Sequence, residues 1–502
     1  MVEVMQEESK VVAGLDPEDW EELKAQGHQM LDDMLENIRH VSQGPVWQPM
    51  PASVREGFRD APLPASGQEL GALYQQFTQT VQPYAVGNRH PRFMGWVHGG
   101  GTAQGMLADM LAAGLNANLG GRDHAPVEVE RMVIRWAAEM FGFSPEATGL
   151  LVTGSSMANF IAILTATRNV SGGQDLRQQG VGGRRLVGYA GESAHGCVAR
   201  AFDMAGLGEQ ALRRVPMDSA FRMDMAALER MVAQDRAAGF EPFLVVGTAG
   251  TVDTGSIDPL NALADLAARE GLWFHVDGAF GALAKLAPDL APLLAGLERA
   301  DSLAFDFHKW AQVPYDAGCV LVREPGRQAA AFAQSLAYLS REERGLAAGA
   351  PWFCDLGPDL SRGFRALKVW FALAGFGTQK LGQVVTQSCA LAQELARQVQ
   401  ATAQLQLLAP VTLNIVCFRV VAPDVEDLDR LNGELVKDLQ LSGVVAPSTT
   451  RIGGVLAIRV ALVNHRTTKA DIAILLDAVH SFTEVRLAHA KMMKELADTP
   501  QA

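Results

Sequence analysis

The chain is 502 residues long, 48% hydrophobic and 20% charged, with a formal net charge of −13 and five cysteines. That is length for roughly two to four domains with a large buried interior. An acidic balance argues against nucleic-acid or anionic-membrane partners, and the spacing of Cys197, Cys319, Cys354, Cys389 and Cys417 offers neither a disulfide framework nor a zinc or other metal site, which leaves small-molecule chemistry.

The N-terminal "MVEVMQEESK" lacks a basic-then-apolar signal pattern, and no apolar run approaches the roughly 18 residues of a membrane helix, so a cytoplasmic location is expected. From Asp16 to His40, apolar residues recur at helical spacing until the prolines of "PVWQPMP" break the pattern. Residues 1–88 are therefore expected to form a helical arm with an extended segment. The short apolar runs "TGLLVTG", "RRLVGYA", "FLVVGTAG", "LWFHVDGAF", "SLAFDFH" and "GCVLVRE" then alternate with helical stretches such as Ser156 to Arg168 and Pro259 to Glu270. This alternation predicts an α/β domain around a mostly parallel sheet, assigned to residues 89–381. "SGGQDLRQQGVGG" reads as an exposed loop, and the irregular stretch from Gln334 to Gly363 as a functional loop. After a helical tract from about Phe364 to about Thr402, the strands "LNIVCFRV" and "GVLAIRVALVN" and a terminal helix predict a smaller α+β domain over 382–502.

In a doubly wound sheet, ligands collect at the carboxyl ends of the strands, and four polar clusters sit there. "TGSSMAN", Thr153 to Asn159, turns from a strand into a helix and aims amides and hydroxyls like an anion cradle; taken alone, such a turn is more often a cap. His195 in "ESAHGCV" opens another helix, and alone reads as a cap or a surface histidine. Asp277 in "FHVDGAFGA" ends an apolar strand and either caps the next helix or serves chemistry. Lys309 in "FDFHKW" comes just after the strand "SLAF", where a lysine is costly unless it is paired or used in a covalent bond.

Together the four meet the needs of pyridoxal 5′-phosphate. Lys309 would condense with its aldehyde, Asp277 would pair with the ring nitrogen and His195 would lie on the ring face; the Ser155 hydroxyl and the Ser156 and Met157 amides would hold the phosphate. At this point the chain resembles the group II pyridoxal-phosphate decarboxylases, which include aromatic-L-amino-acid, histidine and glutamate decarboxylases, within the aspartate-aminotransferase-like fold type I. The resemblance runs from "HPRF" and "MLADML" through "GSSMANF", "AHGCV", "GTAGTVDTGSIDPL", "WFHVDGAFGA" and "FHKW" to "FRALKVWFALAGFG" and "LNIVCFR". It implies that Thr248 and Ala279 line the cofactor, that His308 contacts its phosphate, and that Trp96, Val97 and His98 shape the substrate pocket. Trp96 reads equally well as core packing, and His98 as a contact for a polar or acidic substrate group.

Two departures stand out. Many relatives have Asn-Pro before His-Lys, whereas this chain has Asp306 and Phe307; a carboxylate there would repel a phosphate unless it turned away, so Asp306 is left out of the phosphate set. In the decarboxylases a loop tyrosine is thought to protonate the substrate carbon once carbon dioxide has left. Counting back from "FRALKVW" without gaps puts Phe353 at that place, as in related aldehyde synthases, while a gap in the alignment would give the donor role to Tyr338 in the same loop. The resemblance thus implies a homodimeric enzyme, its arm packed on the partner subunit, that removes the α-carboxylate of an L-amino acid, an aromatic one favoured. The alternatives are an aldehyde synthase releasing ammonia and hydrogen peroxide, an aminotransferase-like activity, and a silent scaffold of the same fold.

Overall fold

The computed structural model of the protein describes residues 14–170, 176–334 and 341–498. The chain divides into two compact units: residues 1–44 with 49–85, and residues 45–48 with 86–502. The smaller is helical, with helices Trp20–Arg39, Ala52–Arg59 and Leu70–Gln76. Asp19 starts the first of them by accepting from the amides of Glu21 and Glu22, both at 2.9 Å. None of the three buries a residue, and Trp20, Phe58 and Leu73 stay exposed.

The larger unit is built on two sheets. Its strands are β1 (Phe93–Met94), β2 (Thr148–Val152), β3 (Leu186–Gly191), β4 (Leu212–Val215), β5 (Glu241–Thr248), β6 (Trp273–Asp277), β7 (Ser302–Asp306), β8 (Gly318–Val322), β9 (Leu405–Leu407), β10 (Ile415–Val420), β11 (Ala446–Ile452) and β12 (Val455–Ala461). The seven-stranded sheet has the order β2-β8-β7-β6-β5-β3-β4. β8 runs against its neighbours β2 and β7, and the other pairings are parallel. Strands such as β3, β7 and β8 are buried along their whole length, as expected of a parallel-rich sheet covered on both faces. The fold is therefore the α/β arrangement expected from the alternating runs, and it agrees with the fold type I that the resemblance implies.

Because every strand but β8 points the same way, Val152, Gly191, Thr248, Asp277 and Asp306 all end on one edge of the sheet. The helices Ser155–Arg168 and Gly196–Met204 begin from that edge. The five-stranded sheet, order β1-β11-β12-β10-β9, packs against helices Leu428–Leu441 and Lys469–Asp498 through Leu435, Leu439, Ile458, Val460, Ile472 and Leu475. A long helix, Arg365–Ala401, is broken at Gly377, whose φ of 74° and ψ of 154° are reached at little cost only without a Cβ.

Candidate active site

At the carboxyl edge of the seven-stranded sheet lies a cavity of about 350 Å³, a size suited to a small ligand. Its lining brings together Trp96, Val97, His98, Ser155, Ser156, His195, Thr248, Asp277, Ala279, His308 and Lys309, eleven positions that the sequence had marked as candidates.

Lys309 leaves β7 in a tight turn, and its Nζ lies 2.9 Å from Asp306 Oδ2. The turn is pressed closely from behind. A Cβ on Gly99 would fall 2.3 Å from the His308 carbonyl oxygen and 2.5 Å from that of Lys309, so the glycine run after His98 lets backbone pack beneath the lysine. His308 accepts from the Ala317 amide through Nδ1 at 3.0 Å and lies beside Tyr315, with ring centroids 4.3 Å apart. Burial pushes His308 down to about 4, so the ring is neutral at physiological pH.

Asp277 ends β6 and is almost completely buried. It accepts from the Ala279 amide at 3.2 Å and faces the Cys197 thiol at 3.9 Å. Burial raises its pKa, opposed by the charges of Lys309 and His195. His195 is both a cap and a cavity residue: Nδ1 accepts from the Cys197 amide at 3.2 Å, which in the neutral ring leaves the proton on Nε2. The Thr248 hydroxyl is buried without a partner among the described residues.

Some positions differ from expectation. The Ser155 amide and hydroxyl both donate to Asp306, at 2.6 and 2.8 Å, so the hydroxyl expected to hold a phosphate is taken by a carboxylate buried at the start of the helix. Met157 is not in the lining; its amide donates to the Gly154 carbonyl at 3.0 Å within the first turn of the helix, so that donor is already taken. Phe353 does not reach the cavity either. It is buried in the 3-10 turn Phe353–Asp355 with the Arg362 guanidinium 4.9 Å from its ring centre, where an apolar ring gains more from the core than from solvent. Tyr338 lies outside the described residues.

Sequence reasoning missed Tyr315, which lines the cavity and whose hydroxyl meets His98 Nδ1 at 3.3 Å. It also missed His275, wholly buried behind Asp277. There Nε2 donates to Asn159 Oδ1 at 2.7 Å, Nδ1 accepts from Ser302 Oγ at 2.8 Å, and the Asn159 amide donates to the Ser155 carbonyl at 2.8 Å. The period-two spacing of His275 and Asp277 on one strand was the available signal, since both side chains must leave the same face.

These residues fit pyridoxal phosphate. A lysine amine faces the cavity, a buried carboxylate with one backbone donor calls for a cationic partner such as a protonated ring nitrogen, and an orphaned hydroxyl and a helix N-terminus offer donors to an anionic ligand.

Comparison with known proteins points the same way. The family model described as the pyridoxal-dependent decarboxylase conserved domain matches residues 51–421. The chain is 31% identical over 471 residues to an aromatic-L-amino-acid decarboxylase of Bacillus atrophaeus, covering 92% of this chain and 96% of that one. It is 28% identical to tyrosine decarboxylase 4 of Petroselinum crispum, covering 88% and 89%. Among solved structures, the glutamate decarboxylase domain of a diaminobutyrate-pyruvate transaminase and L-2,4-diaminobutyrate decarboxylase from Vibrio parahaemolyticus superposes with a TM-score of 0.83 at 25% identity, over 93% of this chain and 97% of that one. A matched domain that spans the cavity, its lysine and both sheet-edge carboxylates makes this chain an enzyme of the group II pyridoxal-phosphate-dependent amino acid decarboxylase family.

Proposed function

We propose that the enzyme decarboxylates an aromatic L-amino acid to the amine and carbon dioxide. The observation that carries this reading is an aromatic ladder at the cavity wall. Trp96, His98, Tyr315 and His308 succeed one another along the lining at ring-centroid distances of 6.3, 5.8 and 4.3 Å, and the buried Phe93 backs Trp96 at 6.1 Å. Among the described residues no arginine lines the cavity, and its one lysine is Lys309, so a side-chain carboxylate would lack a second cation. A planar, uncharged ring suits such a wall.

When bound, pyridoxal phosphate supplies an electron sink for the bond that joins the α-carbon to its carboxylate. Lys309 would hold the cofactor through its amine. Asp277 keeps the ring nitrogen charged, and that charge in turn relieves the burial of its carboxylate. His195 covers one face of the ring and excludes water from it. Ser156 at the start of the helix, with His308 alongside, would hold the phosphate, and Thr248 and Ala279 would close the sides. Trp96, Val97 and His98 orient the substrate so that the carboxylate stands perpendicular to the ring, the geometry in which the sink can take its electrons.

The exposed apolar residues Met110, Leu111 and Leu115 on helix Ala103–Leu115 support a homodimer, and the exposed Trp20, Phe58 and Leu73 of the arm support its packing on a partner subunit. No helix among the described residues is long and apolar enough to cross a membrane. The three-part division at residues 88 and 381 and a cytoplasmic location belong to the same reading.

A single experiment tests the assignment. Cofactor-loaded enzyme is incubated aerobically with pooled L-amino acids, products are identified by mass spectrometry and peroxide is assayed in parallel. An aromatic amine without peroxide is expected. An aldehyde with stoichiometric peroxide would replace the reading with the aldehyde synthase, and an amine from an acidic amino acid would overturn the substrate class. Lys309→Ala is expected to abolish both product and the visible cofactor band.

A further inference from the structure

We propose that Asp306 is a positioning residue that pairs with the Lys309 nitrogen and aims it into the cavity, using the start of the helix Ser155–Arg168 as its brace. The carboxylate is 1% exposed, and every donor near it is engaged: the Ser155 amide at 2.6 Å, the Ser155 hydroxyl at 2.8 Å and Lys309 Nζ at 2.9 Å. The backbone around it is cut to make room. A Cβ on Gly318 would fall 2.8 Å from Asp306 Oδ1 and 2.4 Å from the Gly154 Cα, so neither the carboxylate nor the turn before the helix could stay in place.

The arrangement answers the objection that a carboxylate near a phosphate must repel it. A carboxylate that accepts three hydrogen bonds, one from a cation, presents little free negative charge to the cavity. It also has a chemical use. When a lysine amine condenses with an aldehyde and water leaves, a proton on the nitrogen of the resulting double bond makes its carbon electrophilic, and a neighbouring carboxylate favours that proton. Were pyridoxal phosphate held by Lys309, that is the state from which a substrate amine would take it over. This inference rests on the cofactor site of the proposed function, and Lys309 is its only other participant.

Other titratable groups face the pair from the surrounding elements. Asp277 on β6, with His195 behind it, and Cys197 on helix Gly196–Met204 interact with Lys309 or Asp306. His308 lies 3.7 Å from Asp306 Oδ2, and Cys319 on β8 and Tyr315 also feel its charge. His98 feels Lys309. Among the described residues Asp306 alone is in ion-pair contact with the lysine, which is why its charge is assigned the larger hold on the nitrogen.

The test compares wild type, Asp306→Asn and the control Asp316→Asn, which removes a charge already paired with Arg365 outside this cavity. In each cofactor-loaded protein the visible absorbance is titrated against pH. In Asp306→Asn the loss of the proton from the cofactor-linked nitrogen is expected to move about 1–3 pH units lower, with Asp316→Asn unmoved. In full-length protein before cofactor is added, acetylation of Lys309 at neutral pH, monitored by mass spectrometry, is expected to be about 10–100-fold faster in Asp306→Asn, because the nitrogen is no longer held in a charge-assisted hydrogen bond. An unmoved transition together with an unchanged acetylation rate would overturn the proposal. If wild type forms no visible band, the cofactor assignment fails, while the acetylation ratio still decides the role of Asp306. If Asp306→Asn does not fold, a crystal structure of loaded wild type decides: the carboxylate in hydrogen-bond contact with the Lys309 nitrogen supports the proposal, and one rotated away from it sinks it.

Discussion

Glu130 and Asp277 are both buried carboxylates in the same unit, yet the protein treats them in opposite ways. Glu130, on helix Ala125–Phe141, is 0% exposed and fully satisfied: it takes the Leu151 amide at 3.0 Å and both terminal nitrogens of Arg362, whose remaining donors reach the Leu119 and Leu151 carbonyls. Asp277 has one amide, a distant thiol and no ion-pair contact among the described residues, and burial raises its pKa. A buried charge with every oxygen answered is a structural staple, here between the segment around Arg362, helix Ala125–Phe141 and β2. A buried charge left partly unanswered on a cavity wall carries a standing cost that only a ligand can relieve.

Glu130→Gln breaks the staple and leaves Arg362 charged and buried without its counterion. A loss of about 3–5 kcal/mol of stability is expected, read in denaturant melts, with kcat per folded molecule unchanged. A fall in kcat without loss of stability would move Glu130 to the functional side of the comparison.

Asp277→Asn should do the reverse. Removing the charge that stabilises the ring nitrogen is expected to lower kcat/KM by about 10²–10³-fold, while the melting temperature holds or rises because the unfavourable burial is relieved. The linkage has a definite sign. With its folded pKa raised, Asp277 binds a proton more readily folded than unfolded, so its charge costs stability at neutral pH and that cost fades as the pH falls. A destabilised Asp277→Asn would show that the carboxylate supports the fold.

His275 belongs with Glu130, since both its ring nitrogens are satisfied and burial holds it down to about 3. The unfolded chain takes up this proton near pH 6.5 and the folded protein does not, so the contribution is complete above about pH 6.5 and is lost as the pH falls toward about 3. His275→Gln is therefore expected to remove about 1.4 kcal/mol per pH unit from the acid slope of stability between those limits. An unaltered slope would mean that the ring is protonated in the fold.

The comparison also explains what could be read from sequence. The six apolar runs fall on β2, β3, β5, β6, β7 and β8, because fully buried strands are apolar throughout and declare themselves locally. The direction of β8 was not legible, since a uniformly buried strand carries no mark of which way it runs. β11, "APSTTRI", was missed because its polar residues mask the strand period, and the two-residue β1 exists only through its parallel pairing with β11 some 350 residues away. The cavity's lysine, carboxylate and histidine could be named because one follows a strand by three residues, one ends a strand and one opens a helix. The partnership of Ser155 with Asp306 and the place of Tyr315 depend on contacts between distant segments and left no local pattern.

The smallest effect concerns Trp96, for which core packing and substrate contact were equal readings. The residue is 52% exposed and holds a φ of 49°, a left-handed conformation in which a side chain costs roughly 1–2 kcal/mol. Its backbone is kept there by Arg459, which donates to the Trp96 carbonyl at 3.2 Å, and by the Ser448 hydroxyl, which accepts from its amide at 3.4 Å. A half-exposed ring on strained backbone is poor core packing, so the strain is better explained by what the ring does at the cavity mouth. Trp96→Gly separates the two, because glycine removes the ring and the strain together. Stability should hold or improve slightly, while KM for an aromatic substrate rises by about 2–10-fold with kcat nearly unchanged, as loss of a ring contact worth about 0.5–1.5 kcal/mol requires. A drop in melting temperature with KM unmoved would instead return Trp96 to the core and remove one rung from the aromatic ladder on which the substrate class rests.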